Sequence, residues 1–499
     1  MALPDSKRIR RAPAAPIAWT GGDWFRLALL VTAGLTMARV LWLAAGKTDL
    51  YVDEAQYWYW SLEPALGYFS KPPLIAWVIA ATTALFGDGE FGVRIAAPLF
   101  HLATALILFA IGKRLYDARV GCWSAIAYAS LPAVSFSAVI VSTDVPLLTC
   151  WAAALYAFIR AREETGWHWW IVVGVACGVG LLAKYAMAYW ILSAFLYTAL
   201  MRDERRHLPR LAGAALLGLL VYSPNFAWNL AHGWVSYEHT RENANIGASL
   251  VHPKAFLEFL AAQFGVFGPV FFATVLVIAA RLPRLGRREL LLASFALPTL
   301  AMMLVVSFLS RAQPNWSAPT YLSATVLVVA YLLERRRDAL VWGSVAAHLV
   351  IVAGLFTARD VAAALGEALP TRYDALHRLR GWAPFGRAVA EILRTHPGQR
   401  LLADDREELS ALMYYARPYS FGAVKLNPMG RVRDTFDLTT DMNRHLGESF
   451  IYVTEARDTS WAAARFASFK PLKTITIPIG PDRARHYFVY EADGFKGYR

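Results

Sequence analysis

At 499 residues, with 57% hydrophobic side chains and only 17% charged ones, the chain is too apolar for an ordinary water-soluble protein. Several apolar runs reach the roughly 20 residues needed to cross a bilayer, so the composition reads as a multi-pass membrane protein. The net charge of +13 does not point to nucleic acid, because Lys and Arg gather in short loops between apolar runs, as membrane orientation requires.

In chain order, Met1–Trp19 carries Lys7, Arg8, Arg10 and Arg11 ahead of an apolar run too long for a signal-peptide core. The expectation is a retained first span, about Trp24–Gly46, with the N-terminus in the cytoplasm. Tyr51–Pro73 follows (YVDEAQYWYWSLEPALGYFSKPP), a segment dense in Tyr and Trp that suits the headgroup layer. Leu74–Phe86 is too short to cross and reads as a surface or re-entrant helix. Further spans are expected at about Phe91–Ile111, Val120–Val141, Val145–Ile159, Trp167–Leu182, Tyr185–Met201, Leu211–Leu230, Ala255–Ala280, Glu289–Leu309, Trp316–Leu333 and Ala339–Ala358. With these eleven spans, the Arg-rich loops fall on one side, and Asp53, Asp144, His239 and Asn315 fall on the other. Cys122, Cys150 and Cys177 lie inside apolar runs without metal spacing and read as small core residues.

From about Arg359 the composition turns soluble. Ala383–Thr395 and Glu407–Tyr415 read as helices, and Arg400–Ala403, Phe450–Thr454, Leu472–Ile479 and His486–Tyr490 as strands. The expected fold is therefore mostly α: a multi-pass membrane domain over residues 1–358, and a small α/β domain over residues 359–499 on the non-cytoplasmic face.

The chemistry-bearing residues cluster at that face. Asp53 and Glu54 are adjacent, and neighbours on a helix point about 100° apart, so one of them is expected to face a site. A partly desolvated carboxylate can accept a proton from an attacking hydroxyl; the bland reading is a pair of solvated acids. Lys71, held by Pro72 and Pro73, suits a phosphate, or else snorkels at the membrane edge. Asp144 either caps a helix or lines the same mouth. Lys184, between two apolar runs, meets a phosphate or anchors a helix end. The loop Trp228–Asn245 offers His232, Glu238, His239, Arg241 and Asn245; a His and a carboxylate there could bind zinc, but the spacing matches no standard metal motif. Gln313, Asn315 and Trp316 hydrogen-bond and stack a sugar, or anchor a span. Gly174, Gly178 and Gly180 lack phosphate-loop spacing, and small residues inside a span allow close helix packing.

Five motifs carry a resemblance: VDEAQYW from Val52, FSKPPLIAW from Phe69, STDVPLL from Ser142, WNLAHGWVSYEHT from Trp228 and PNWSAPTYL from Pro314. Together they resemble bacterial membrane glycosyltransferases of the GT-C fold, the protein O-mannosyltransferase-like group and the aminoarabinose transferases that modify lipid A. The resemblance looks closer to rhizobial-type lipopolysaccharide sugar transferases than to eukaryotic mannosyltransferases. It implies a donor made of a sugar on a polyprenyl phosphate, and an envelope acceptor: lipid A, lipopolysaccharide core or another glycan, with protein as the alternative. The implied reaction is inverting and takes place on the periplasmic side of the bacterial inner membrane.

On that reading Asp53 is the catalytic carboxylate, with Asp144 beside it. Lys71 binds the donor phosphate with Lys184 and Arg241, while Glu54, Tyr57, His239 and Asn315 line the substrate site. Two departures stand out. Ser70 replaces a Glu that the aminoarabinose transferases use with a His to hold zinc, and Gln56 replaces an Arg. No metal ligands and no cofactor are therefore assigned, a divalent ion being the open alternative. Besides donor, acceptor and membrane lipids no partner is expected. The rival from another class is a polyprenyl-linked sugar flippase or transporter. Transporters place polar groups near the bilayer midplane, often within inverted repeats, and neither feature is visible here.

Overall fold

The computed structural model describes residues 19–244 and 251–498; the expectation for Met1–Trp19 falls almost entirely outside them. The chain opens with α1 (Gly21–Ala44), whose capping box pairs Thr20 with Asp23. Next come α2 (Val52–Ser61), α3 (Leu74–Phe86), α4 (Glu90–Arg94), α5 (Ala96–Leu115), α6 (Ala118–Ser130) and α7 (Pro132–Ser137). The membrane part continues with α8 (Asp144–Glu163), α9 (His168–Ala183), α10 (Ala188–Leu200), α11 (Leu208–Ala231), α12 (Val235–Ala244), α13 (Pro253–Phe267) and α14 (Pro269–Ala280). It closes with α15 (Arg287–Ser294), α16 (Leu297–Leu309), α17 (Thr320–Glu334) and α18 (Asp338–Ala364).

Among the described residues, six helical stretches are long and apolar enough to cross a membrane: Gly21–Ala44, Glu90–Leu115, Asp144–Glu163, Arg202–Ala231, Arg287–Leu309 and Asp338–Ala364. The pair α13 and α14 makes a seventh if counted as one span, bent by 117°. The bend has a backbone cause: Gly268 between them has φ +85°, and a Cβ there would stand 2.0 Å from His348 Nε2. Leu74–Phe86, His168–Ala183, Tyr185–Leu200 and Thr320–Glu334 are apolar but shorter. Leu74–Phe86 is thus a short helix, as its length suggested.

The glycines of α9 act as packing residues. A Cβ on Gly174 would lie 2.6 Å from Ala214 O, and one on Gly178 2.7 Å from Gly218 O, so α9 and α11 approach backbone to backbone. The three cysteines are free and sit inside the helical part.

The last membrane helix runs to Ala364, six residues past the expected end at Ala358. Beyond it lie α19 (Trp382–Thr395), β1 (Arg400–Ala403), α20 (Arg406–Tyr415), β2 (Val424–Lys425), β3 (Phe450–Thr454), β4 (Phe466–Gly480) and β5 (Arg483–Phe495). The sheet order is β2-β1-β3-β5-β4, with β1 parallel to β2 and β3, and β5 antiparallel to β3 and β4. The hairpin strands are longer than their hydrophobic alternation indicated, because ladder pairing continues from Gly480↔Arg483 out to Phe466↔Phe495 past an irregularity at Pro471.

The core of this unit includes Val52, with Tyr51 and Tyr59 packed against it. Helix α2 therefore lies between the membrane helices and the C-terminal sheet. Polar contacts fix it there. Trp60 Nε1 donates to Thr435 Oγ1 (2.9 Å), Leu50 N donates to Tyr415 Oη (2.5 Å), and Trp382 N donates to Asp49 Oδ2 (2.8 Å).

Candidate active site

The site is built around α2. Asp53 and Glu54 sit in its first turn, and the helix sends them to opposite environments. Glu54 is fully buried. It accepts from Arg94 Nε (2.8 Å) and Nη2 (2.6 Å), and from the backbone N–H groups of Tyr51 (2.8 Å) and Val141 (2.8 Å). All of its acceptor capacity is spent on structure, which corrects the expectation that Glu54 lines the substrate site. It is the tie that joins α2, α4 and the segment before α8.

Asp53 points the other way. Its side chain is 41% exposed, and Oδ1 accepts from Arg406 Nη1 at 2.9 Å. The same nitrogen donates to Gln56 Oε1 at 2.6 Å. Arg406 comes from the start of α20 and was not singled out in the sequence, since nothing local to an exposed-looking Arg-Glu-Glu run marks it. Asp53 Oδ2 has no hydrogen bond among the described residues.

Lys71 leaves a turn in which Tyr68 N donates to Lys71 O (3.1 Å) and two prolines follow. Its side chain makes no ion pair among the described residues. Burial, and next the charge of Lys184, push its pKa below the ordinary lysine value, while Asp53 and Asp144 act in the opposite sense. The four charges thus belong to one neighbourhood.

Lys184 stands where α9 ends, on extended backbone before the turn Tyr185–Met187. Its Nζ donates to Asp144 Oδ1 (2.6 Å), and Asn315 Nδ2 donates to Asp144 Oδ2 (3.0 Å). Three residues expected at the site therefore meet. Both oxygens of Asp144 are engaged, so here it holds Lys184 and leaves no oxygen without a partner, unlike Asp53. Lys71 and Lys184 share a cavity of about 300 Å3 whose other walls include Tyr185, Tyr189, Met303, Val306 and Trp316. It combines two cations with largely apolar walls, to which Ser70, Thr240 and Asn243 add polar groups.

Tyr57 is buried beside Asp53 rather than open to the site, and burial first, then Asp53, raises its pKa well above the ordinary tyrosine value. His239, on α12, packs its ring on Phe69 (5.1 Å) and contacts Asn243 Nδ2 (2.9 Å). Burial, then Lys71 and Arg406, push its pKa down to about 4, so it stays neutral near pH 7. Arg241 is not at the cavity: its side chain is 76% exposed and paired with Glu238 on the same helix, a correction to its expected place on the donor phosphate. Among the described residues no three His, Cys, Asp or Glu side chains converge as a metal site.

Residues 70–228, which carry Lys71, Asp144 and Lys184, match the family described as dolichyl-phosphate-mannose-protein mannosyltransferase. The chain is 31% identical over 442 residues to the lipid A galacturonosyltransferase RgtD of Rhizobium johnstonii, covering 87% of this chain and 92% of that protein. The chain is a membrane glycosyltransferase of the family to which that lipid A transferase belongs. A second relative matches the transferase over about a third of either length: the undecaprenyl phosphate-alpha-4-amino-4-deoxy-L-arabinose arabinosyl transferase of Pseudomonas aeruginosa (strain UCBPP-PA14), 32% identical over 172 residues. Among solved structures, ArnT from Cupriavidus metallidurans bound to undecaprenyl phosphate shares the transferase's fold. Its TM-score is 0.64 at 17% identity, over 94% of this chain and 98% of that one. The glycosyltransferase expectation and the likeness to lipopolysaccharide sugar transferases both hold.

Proposed function

We propose that this transferase moves a sugar from a polyprenyl phosphate to lipid A or a related envelope glycolipid on the periplasmic side of the bacterial inner membrane. One observation carries the reading: a single cavity lined by Lys71 and Lys184 together with Tyr185, Tyr189, Met303 and Val306. That pairing of positive charge with largely apolar wall suits a phosphate joined to a hydrocarbon tail. The extended similarity to a lipid A galacturonosyltransferase favours a uronic acid as the sugar and lipid A as the acceptor.

In this reaction the acceptor hydroxyl oxygen attacks the anomeric carbon, and the bond from that carbon to the phosphate oxygen breaks. The departing polyprenyl phosphate keeps the electron pair, with its charge opposite the two lysines. The hydroxyl proton passes to Asp53, whose Oδ2 is free to accept it. Attack from the face opposite the leaving phosphate inverts the anomeric centre. In this scheme Arg406 positions Asp53, and Asp144 with Asn315 positions Lys184.

The reading also assigns eleven crossings, counting His168–Ala183, Tyr185–Leu200, Thr320–Glu334 and the broken stretches 118–137 and 253–280 as spans. It divides the chain near the end of α18 into a membrane domain and a periplasmic α/β domain, with the N-terminus cytoplasmic. A transporter needs charges along a path, whereas these gather at one mouth.

The test is transfer of labelled sugar from a panel of polyprenyl-phosphate sugars to lipid A by purified protein in nanodiscs. Wild type should transfer, while Asp53→Asn and Lys71→Ala, both folded, should lose about 10²–10³-fold or more. Absence of transfer with every donor, together with altered lipid translocation in sealed vesicles for both variants, would instead establish a flippase.

A further inference from the structure

A second cavity, of about 310 Å3, lies at the N-terminal end of α2, lined mostly by residues of the C-terminal unit, and shares no lining residue with the one that holds Lys71 and Lys184. Arg378, Arg483 and Arg485 converge on it, with His377 beside them. Guanidinium groups brought together repel one another, so their convergence calls for compensating carboxylates. Two nearby carboxylates are committed elsewhere, and a third, Glu407, lines the cavity itself and offsets part of the charge of Arg485. Asp374 pairs with Arg380 and Arg359, and Asp49 accepts from the backbone N–H groups of Trp382 and Ala383. Glu407, on the rim, lies 3.9 Å from Arg406. Among the described residues, none of the three arginines forms an ion pair.

Arg485 is held in place without an ion pair, although its charge acts on Glu407, which lines the same cavity. Its guanidinium lies over the Trp382 ring at 3.9 Å, and its buried Nη1 has no hydrogen-bond acceptor. The cavity also abuts the reacting centre. Tyr51, which lines it, directly precedes α2, and Glu407 follows the arginine that contacts Asp53. The donor cavity has apolar walls suited to a lipid chain. This one is lined mainly by charged and polar groups, which suits a water-facing anion and not a hydrocarbon.

We propose that Arg378, Arg483 and Arg485 form an anion site that holds a phosphate or carboxylate on the saccharide of the acceptor while its hydroxyl is presented to Asp53. This rests on the reading of the acceptor as an anionic envelope glycolipid. A planar fork of donors is the chemistry that recognises either group, and it can do so with two parallel hydrogen bonds. The site would then select acceptors by charge, independently of the lysines that take the donor.

The experiment compares wild type with the double variant Arg378→Ala/Arg483→Ala, leaving the stacked Arg485 in place, in nanodiscs. Transfer is measured to lipid A with and without its phosphates and, separately, to an acceptor whose only anions are carboxylates. The expected result is a KM for one anionic acceptor raised about tenfold or more in the double variant, with the donor KM unchanged. Transfer to the neutral acceptor should not change, and Arg378→Lys/Arg483→Lys should recover part of the loss. The arm that responds identifies phosphate or carboxylate as the ligand. Equal KM values for wild type and double variant on both anionic acceptors would overturn the proposal, as would an equal loss on the neutral one. If no acceptor is glycosylated at all, the proposed function fails but the site is still decided by pyrophosphate binding. Binding lost in the double variant and kept in Lys71→Ala supports the site, and binding kept in the double variant overturns it.

Discussion

Glu54→Ala and Asp53→Asn alter neighbouring carboxylates, and the two changes should fail in opposite ways. Removing the Glu54 side chain leaves the Arg94 guanidinium, whose side chain is only 3% exposed, without its counter-charge. It also strips the N–H groups of Tyr51 and Val141 of their acceptor. Breaking a buried pair by deleting one partner costs about 3–5 kcal/mol. That is a large part of the roughly 5–15 kcal/mol by which a typical protein is stable. Residual bonds from Arg94 to Thr48 and Asp49 place the expected loss within that range rather than above it.

The Asp53–Arg406 pair, by contrast, has side chains 41% and 31% exposed, and such a pair contributes about 1 kcal/mol or less. Thermal unfolding in detergent, followed by a thiol-reactive dye on Cys122, Cys150 and Cys177, separates the two. Glu54→Ala should unfold far earlier than wild type, whereas Asp53→Asn should unfold close to wild type yet lose transfer by about 10²–10³-fold or more. A Glu54→Ala protein with wild-type stability and no activity would refute the reasoning and move Glu54 into the chemistry.

Further outcomes are expected. Burial holds the Lys71 pKa below its ordinary value of 10.5, so raising the pH removes its charge, and kcat/KM for the donor should fall on an alkaline limb below that value. Lys71→Arg should move that limb upward; His239→Gln should leave the profile between pH 5 and 7 unchanged, because His239 titrates at about 4. Arg406→Ala should fold normally but lower kcat, by up to about 10²-fold, since small misplacement of a catalytic group has costs of that order, with donor KM little changed in steady-state assays. Gly268→Ala should destabilise the protein by at least about 1 kcal/mol in the same dye assay, because it combines positive φ with a clash against His348.

Much of this molecule is legible residue by residue. Apolar runs marked the membrane helices, and alternation marked β1 and β3 at their observed ends. Lys71, Asp144, Lys184 and Asn315 stood out because a polar group beside hydrocarbon is costly unless it has a partner or a task. Each of these signals is a property of one residue and its neighbours in the chain. Partnership is not. Asp53 and Glu54 look alike in the sequence, and only the tertiary structure sends one to Arg94, 40 residues away, and the other to Arg406, 353 residues away. Arg406 and the three arginines of the second cavity lie in a soluble-looking stretch where charge carries no local cost, so nothing there announced them. Composition records what a group loses on leaving water. Which opposite charge makes good that loss is decided by what packs against α2: α4 for Glu54, and α20 of the C-terminal unit for Asp53.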